Sequence, residues 1–340
     1  MQQQLTHTGP DALEWREAPA PTLSSDAAAL VRPRAVATCD LDELIIAGRS
    51  PFPPPFAIGH ECVAEVLEVG DAVSSLRPGQ LVSVPFQISC GQCSACRAGR
   101  TSNCDTVGFM STYGFGPAVE RWGGFLADVV CVPYAEHMLV PLPAGVAPAT
   151  VASASDNIAD AYRAVAPALA EHPGATVLVV GGAGPGSIGL YAAAVAVALG
   201  AESVVYLDPD ERRRETAAKL GAQTLAQAPE RLGPFAITVD AGGNPDWLAL
   251  ALHATAPDGI CTSVAIYFGE QPRLPLLSMY TKGITFRTGR ANARPAMPHV
   301  LELTASGALH PELVTTRVVS WADATDALVE RDWTKLVIER

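Results

Sequence analysis

Four cysteines between positions 90 and 104 constrain the fold of this chain more than any other feature of its sequence. They form the run Cys90-Gly-Gln-Cys93-Ser-Ala-Cys96, which is followed by Cys104. Four thiolates at this spacing can surround one ion, and zinc suits an all-sulfur site with bonds of about 2.3 Å. An iron–sulfur cluster also uses four thiolates and stays open as an alternative. Because such a closed site leaves no position for a substrate, the sequence predicts a structural metal lobe at residues 88–106.

The hydrophobic pattern divides the rest of the chain into two kinds of structure, which suits two domains at a length of 340 residues. Residues 30–143 contain short valine-rich runs punctuated by Gly and Pro, which predict antiparallel strands in a barrel-like region. Beyond residue 148, Ala-rich helical stretches alternate with compact strands, and this rhythm predicts a parallel sheet covered by helices. Those strands are expected at 176–180, 203–207, 235–240 and 259–265, followed by a helix at 297–306 and strands at 314–319 and 335–339.

Charge and hydropathy argue against two classes of partner. The net charge of -12 disfavours a nucleic-acid partner, because proteins that bind the phosphate backbone present clustered Lys and Arg. The most apolar stretch, at 177–199, is interrupted by glycines and does not fit a membrane span. The N-terminus lacks the pattern of a signal peptide, and the cysteines are too unevenly spread for a secreted disulfide scaffold. We therefore expect a cytoplasmic protein.

A second set of metal-binding residue types is spread along the chain. Cys39, the dipeptide His60-Glu61 and Asp156 together offer a thiol, an imidazole and carboxylates. Three such protein ligands can hold zinc and leave a fourth position open. Each residue also has an ordinary explanation, namely a buried cysteine, a turn histidine and a helix N-cap aspartate. Only the fold can bring them together.

A glycine-rich loop follows the strand expected at 177–180. Gly184, Gly186 and Gly189 match the pattern GxGxxG and precede an Ala-rich helix. Glycines permit a tight turn and let backbone N–H groups approach a pyrophosphate at the helix N-terminus. An ordinary glycine-rich turn between a strand and a helix is the alternative. If the loop binds a dinucleotide, its contacts are expected at Gly184, Gly186, Ser187, Ile188 and Gly189.

The next strand ends in Asp208, close to the expected interval of about 20 residues after the glycines. A carboxylate there accepts hydrogen bonds from ribose hydroxyls and repels a 2′-phosphate, which favours NAD over NADP. The nearby Arg212 and Arg213 are the counter-argument, because a guanidinium can pair with that phosphate. Arg213 is therefore included among the candidate cofactor contacts.

Several further motifs stand in a fixed order around these features: Ala37-Thr-Cys39-Asp-Leu-Asp42, Ile58-Gly-His60-Glu61, Pro78-Gly79-Gln-Leu-Val82, Gly123-Gly124-Phe-Leu-Ala-Asp128 and Lys335-Leu-Val-Ile338. With them, the chain resembles the zinc-containing medium-chain dehydrogenase/reductase superfamily over nearly its whole length. The resemblance implies an α/β protein with a GroES-like β-rich catalytic domain, formed by residues 1–150 and 290–340. A Rossmann domain with a doubly wound parallel sheet would span residues 151–289, and the active site would lie in the cleft between the domains.

The resemblance also implies roles for single residues. Cys39 and His60 match the first two ligands of the family's catalytic zinc, and Asp156 matches the third. Glu61 matches a neighbouring glutamate that serves as an outer-sphere partner or an alternate ligand. The implied cofactors are two zinc ions per chain and NAD, the implied reaction is hydride transfer to or from a small alcohol or carbonyl compound, and the implied assembly is a homodimer or homotetramer.

Two features depart from the family. The glycine loop is about three residues longer than is usual, and Leu41 replaces the hydroxyl residue that begins the family's proton relay. Asp40, Glu61 or water would then have to move the proton. Alternatively, the enzyme is a zinc-dependent NAD(P)H reductase of a C=N or C=C substrate. A third hypothesis is a non-catalytic NAD(P)-binding protein with the structural zinc alone, and zinc content per chain would distinguish it. Tyr113, Phe115 and Trp122 fall where either pocket or core residues are expected.

Overall fold

The computed structural model of this chain describes residues 1–116, 119–182, 184–269 and 271–340. The chain forms two compact units. The first consists of Met1–Ala159, Asn292–Ala305 and Thr315–Arg340, and the second of Asp160–Ala291 and Ser306–Val314. Residues 151–159 cluster with the first unit, where the Ser155 hydroxyl accepts a 2.9 Å hydrogen bond from the backbone N–H of Cys62. No helix in the described part of the chain combines the length and apolarity that crossing a membrane requires.

The strands of the described residues, in chain order, are β1 (Gln2–Gly9), β2 (Ala12–Ala18), β3 (Ala29–Ala37), β4 (Phe56–Ala57), β5 (Glu61–Val69), β6 (Leu81–Val84), β7 (Val130–Val132), β8 (Val140–Pro141), β9 (Thr176–Val180), β10 (Ser203–Leu207), β11 (Gln223–Leu225), β12 (Phe235–Asp240), β13 (Thr255–Ser263), β14 (Thr285–Thr288), β15 (Arg317–Ser320) and β16 (Leu336–Glu339).

The α-helices of the same residues are α1 (Asp40–Ile46), α2 (Ser94–Arg97), α3 (Val119–Trp122), α4 (Ala135–Met138), α5 (Pro148–Val151), α6 (Asn157–Glu171), α7 (Ser187–Ala198), α8 (Glu211–Lys219), α9 (Pro245–Ala254), α10 (Leu276–Lys282), α11 (Ala293–Ala305) and α12 (Ala324–Glu330). Short 3-10 helices lie at Thr101–Asn103, Ala152–Ser155, Pro311–Leu313 and Trp321–Asp323.

The first unit is built on β-sheets, which confirms the predicted β-rich region. Its larger sheet has the strand order β15-β16-β3-β5-β6-β8, with β7 also paired to β3, and a smaller sheet has the order β2-β1-β4. All of these pairs are antiparallel except β15 with β16. Along β3 the first side chains alternate between buried and half-buried positions, as expected for strands with one face on a core. The last strand, β16, lies directly beside β3.

The second unit contains a six-stranded parallel sheet in the order β11-β10-β9-β12-β13-β14. Its central strands are nearly continuous apolar runs, because helices cover both faces of a parallel sheet. The predicted strands at 176–180, 203–207 and 235–240 are confirmed to the residue. The strand expected at 259–265 begins earlier, at Thr255, where it pairs with Phe235 of β12. The carboxyl ends of β9, β10 and β12 meet at one edge of the sheet.

Candidate functional site

The four clustered cysteines converge in the structure. Their sulfur atoms all lie within 4.8 Å of one another, and three of the four side chains are buried. Gly91 turns the chain between the first two with φ of +73°, and a Cβ atom there would lie 2.6 Å from Cγ of His137. Helix α2 begins directly after Cys93 and carries Cys96. A tetrad of this size and donor type fits one tetrahedral zinc ion.

Hydrogen bonds favour the thiolate over the thiol at Cys90 and Cys93, whereas burial raises the pKa of Cys96. Burial acts to raise the pKa of Cys90, but the Thr106 hydroxyl at 3.1 Å and the backbone N–H groups of Gln92 and Cys93, each at 3.4 Å, lower that pKa to about 6. The backbone N–H of Asp105 likewise donates to Cys93 Sγ at 3.4 Å. Because the thiolate is the form that binds metal, these donors prepare the lobe for an ion.

The second set of predicted ligands also converges. Cys39, His60, Glu61 and Asp156 each offer one ligand atom, and these atoms lie within 4.8 Å of one another. Cys39 is the N-cap of α1, His60-Glu61 stands at the start of β5, and Asp156 joins the 3-10 turn at Ala152–Ser155 to α6. The three segments that carry these residues are far apart in the sequence, and the fold brings them together. The residue types alone could not establish that convergence.

The imidazole of His60 is the most informative group at this site. It is fully buried, and neither ring nitrogen has a hydrogen-bond partner among the described residues. Nε2 lies 3.6 Å from Oδ2 of Asp156, and Nδ1 lies 3.5 Å from Oδ1 of Asp42. An unpaired buried polar group is costly, and a metal ion bound at Nε2 would remove that cost. The donor set of sulfur, nitrogen and carboxylate oxygen fits zinc.

Burial and charge oppose each other at His60. Burial acts to lower the pKa of His60, but the carboxylates of Asp42 and Asp156 outweigh it and raise that pKa to about 9. Burial also raises the pKa of the Cys39 thiol, and the carboxylates of Asp156 and Glu61 add to that effect. The neighbouring carboxylates act in the same direction on both groups, and a local field of this sign favours a bound cation.

Sequence reasoning quoted Asp42 within a motif but gave it no role. Its Oδ2 accepts a 2.7 Å hydrogen bond from the backbone N–H of Cys39, and the Cys39 sulfur in turn accepts from the backbone of helix α1. Its other oxygen faces His60 Nδ1. The spacing Cys39-x-x-Asp42 is that of a capping box, and this was the available signal. A carboxylate behind a metal-bound imidazole orients the ring and fixes its tautomer.

Of the three aromatic residues left open by the sequence, Phe115 contacts the second cluster with its ring. Its ring meets His60 edge-on with centroids 4.8 Å apart, and Phe86 stacks on it at 5.7 Å. Tyr113 is buried, with its hydroxyl donating to the carbonyl of Cys131 at 2.9 Å. Trp122 packs under the guanidinium of Arg121. The buried Leu41 brings no hydroxyl, so the structure leaves the proton relay unassigned.

The glycine loop has the predicted setting between β9 and α7. Gly184 and Gly186 have positive φ values of 53° and 76°, Gly186 is the N-cap of α7, and Ser187 and Ile188 open the helix. At Gly189 an added Cβ would lie 3.3 Å from Cβ of Ala241, so the glycine permits close helix–strand packing. Ala183, within the loop, lies outside the described residues.

The indole ring of Trp247 packs directly against the glycine loop at Gly182. Gly182 has φ of +122°, and a Cβ atom there would overlap the indole ring of Trp247. Gly182→Ala must therefore displace either the ring or the loop, and overpacking of this kind costs about 1–3 kcal/mol. If the loop binds a dinucleotide as predicted, the Kd for NADH, measured by fluorescence titration, should rise about tenfold.

The matched control for this variant is Gly200→Ala. Gly200 also has a positive φ, of +78°, but an added Cβ would meet nothing within 4 Å. This control carries the backbone strain without the overlap, and its Kd should stay at the wild-type value. An unchanged Kd in Gly182→Ala would show that the indole does not determine the shape of the loop.

Asp208 and Arg213 form a buried ion pair at the end of β10. Nε and Nη2 of Arg213 donate to the two carboxylate oxygens at 2.8 and 2.9 Å, and the Tyr206 hydroxyl and Asp210 N–H also donate to them at 2.8 Å. The guanidinium reaches across to the carbonyls of Gly182 and Gly184. The carboxylate is fully buried, so the ribose contact expected of Asp208 stays a prediction. Helix α8 directs Arg213 over the loop, which spacing alone could not reveal.

Comparisons with known proteins agree with this geometry. The chain matches the family described as "Alcohol dehydrogenase GroES-like domain" at residues 25–144 and that described as "Zinc-binding dehydrogenase" at residues 187–306. It is 31% identical to L-galactonate-5-dehydrogenase of Escherichia coli, covering 95% of this chain and 93% of that protein. It is 28% identical to a probable zinc-binding alcohol dehydrogenase of Mycobacterium tuberculosis, covering 90% and 79%. The structure of an alcohol dehydrogenase from Thermus sp. ATN1 superposes with a TM-score of 0.89 at 30% identity, covering 99% of each chain.

Proposed function

The chain belongs to the zinc-containing medium-chain dehydrogenase/reductase superfamily, and from that premise we propose that it transfers a hydride between NAD(H) and a small alcohol or carbonyl compound. As a member of this family it is an oxidoreductase, and its substrates are small molecules. One observation carries the proposal: the buried imidazole of His60, which has no hydrogen-bond partner in the described part of the chain, stands beside one thiol and two carboxylates.

Cys39, His60 and Asp156 would hold a catalytic zinc ion in this mechanism. Three protein ligands are the usual number in catalytic zinc sites, which keep one position for substrate. When bound, zinc polarises the substrate oxygen as a Lewis acid, and the nicotinamide supplies or accepts the hydride. Oδ1 of Asp42 faces Nδ1 at 3.5 Å and would orient the ring around a bound metal, while the ring of Phe115 packs against the imidazole.

NAD is the proposed nucleotide, because the guanidinium of Arg213, which is paired with Asp208, already uses most of its hydrogen-bond donors. The guanidinium of Arg213 has five N–H groups, and it makes four hydrogen bonds, two to Asp208 and one to each carbonyl of Gly182 and Gly184. Little donor capacity remains for a 2′-phosphate. The Kd for NADH should therefore be lower than that for NADPH, and the reverse order would contradict this part of the proposal.

The four-cysteine lobe would hold a second, structural zinc, so that each chain binds two ions. A homodimer or homotetramer remains a prediction from the family resemblance, and light scattering on the purified protein would test it.

The decisive experiment follows NADH-linked turnover through zinc removal and return. The purified enzyme is assayed with a panel of small alcohols, aldehydes and ketones, first as isolated and then after a chelator has removed one zinc per chain. Activity should disappear with that ion and return when zinc is added back. Persistent turnover without the ion would refute metal-assisted hydride transfer, and no turnover by fully loaded enzyme with any compound would refute the substrate class.

Leu41 favours one alternative within the same family. The family's relay hydroxyl carries the proton away from an alcohol substrate, and Leu41 cannot do this. The replacement therefore favours a reaction in which no alcohol has to lose a proton. The same panel therefore includes a cyclic imine and an α,β-unsaturated ketone. NADH- or NADPH-dependent reduction of either compound, with no alcohol oxidation, would identify the chain as a reductase of C=N or C=C bonds.

A further inference from the structure

Lys335 is a fully buried lysine whose ammonium group is completely paired. Its Nζ donates to Oε2 of Glu61 at 3.0 Å, to Oδ1 of Asn157 at 2.7 Å and to the backbone carbonyl of Thr38. An ammonium group has three N–H donors, and each has a partner here. Lysine is rarely buried unless it is paired in this way, which indicates a specific task.

The three partners of Lys335 belong to the three segments that carry the proposed zinc ligands. Thr38 precedes Cys39, Glu61 follows His60, and Asn157 follows Asp156. Asn157 also donates through Nδ2 to the Cys39 sulfur at 3.5 Å. The Lys335 side chain, directly before β16, thus joins segments that lie up to 297 positions away in sequence. The Thr38 hydroxyl also donates to the carbonyl of Leu336.

Both carboxylate oxygens of Glu61 accept hydrogen bonds from the side of the cluster where Lys335 and Asn157 lie. Oε2 accepts from Lys335, and Oε1 accepts from the backbone N–H of Asn157 at 3.3 Å. Yet Glu61 offers an oxygen within 4.8 Å of the ligand atoms of Cys39, His60 and Asp156. A small movement would make it a fourth zinc ligand and would close the position that a substrate needs.

We propose that Lys335 is a positioning residue that retains Glu61 outside the coordination sphere of the catalytic zinc, so that the fourth position stays open for substrate. This inference rests on the proposed function of the same site. Loss of the ammonium group removes the partner of Glu61 in a cluster that already contains Asp42, Asp156 and Cys39. The free carboxylate then turns to the metal, which is the nearest remaining cation.

The test measures whether the metal keeps an open position. Cobalt(II) replaces zinc, and the spectrum of each protein is corrected by subtracting that of its His60→Ala counterpart, which isolates the second site. Imidazole, a small exogenous ligand, is then titrated against the cobalt bands. In Lys335→Met we expect imidazole to bind on the order of 10–100-fold more weakly than in wild type, by analogy with the loss of metal affinity or activity when an outer-sphere partner is removed.

Two further variants separate positioning from support of the fold. In Lys335→Met combined with Glu61→Gln, residue 61 no longer offers a carboxylate for the fourth position, and imidazole affinity should return to the wild-type value. Lys282→Met is the matched control, because Lys282 donates to the carbonyls of His253 and Thr255 in the second unit. This variant removes an anchored ammonium elsewhere and should leave imidazole binding unchanged.

The outcomes are distinct. A folded, cobalt-loaded Lys335→Met that binds imidazole as tightly as wild type overturns the inference. If Lys335→Met does not fold, the double variant must fold and bind imidazole, and its failure assigns Lys335 to structure alone and overturns the inference as well. A wild-type protein without any His60-dependent cobalt would overturn the proposed function itself, a result that differs from every outcome in which the wild type is loaded.

Discussion

Replacing His60 with alanine is expected to remove one of the two zinc ions and to lower kcat/KM by at least about 10³-fold. The imidazole supplies the nitrogen ligand among Cys39, His60 and Asp156, and the remaining thiol and carboxylates lie in an acidic pocket. Lewis-acid stabilisation by a catalytic metal contributes several kcal/mol, and about 4 kcal/mol corresponds to a factor of about 10³ in rate. Elemental analysis and steady-state kinetics on the same preparation measure both effects.

The control for this experiment is His310→Ala, because His310 is an exposed residue that pairs with Glu312. Its zinc content and kinetics should equal those of the wild type. If His60→Ala instead keeps two zinc ions and full turnover, the second cluster is not the catalytic site. A wild type with a single zinc that survives in His60→Ala would leave a nucleotide-binding protein with only the structural metal.

Replacing Cys93 with serine is expected to empty the four-cysteine lobe and to destabilise the first unit. Structural zinc contributes about 10–16 kcal/mol of apparent binding free energy in small zinc-dependent peptides. Loss of only about 4 kcal/mol of this would lower Tm by about 10 °C for a unit of this size. Calorimetry gives Tm, and elemental analysis should show that the zinc at His60 remains.

Cys131→Ser provides the comparison for the lobe variant. Cys131 is a half-buried thiol that belongs to neither metal-binding cluster of the described residues. Its replacement should change neither Tm nor zinc content. If Cys93→Ser behaved in the same way, the four sulfur atoms would not hold an ion, and the lobe would be held together by its hydrogen bonds alone.

The sequence predicted features whose determinants lie close together along the chain. The cysteine lobe and the strands β9, β10 and β12 follow from spacing and hydrophobic pattern within a few residues. Helix α11 shows one limit of such reasoning. It was expected from residue 297 but begins at Ala293, because Pro295 is accommodated in its first turn.

The contacts that the sequence did not predict are tertiary ones. Lys335 lies 274 positions from Glu61, and no local pattern predicts that pair. Asp42 is only three positions from Cys39, yet its link to His60 requires β5 to lie beside β3. The pairing of Arg213 with Asp208 depends on the direction of a side chain over the glycine loop, and spacing along the chain cannot supply that direction.

The position of β16 has a consequence for the order in which the protein is made. During translation the residues of the second unit leave the ribosome before those of β16, whereas β3, its neighbour in the sheet, is synthesised early. Domains generally fold as units as they emerge, so the second unit can pack while the first still lacks a strand. Lys335 arrives with that late strand. The contacts of Lys335 with Thr38, Glu61 and Asn157 are therefore completed only after the residues of the second unit have been synthesised.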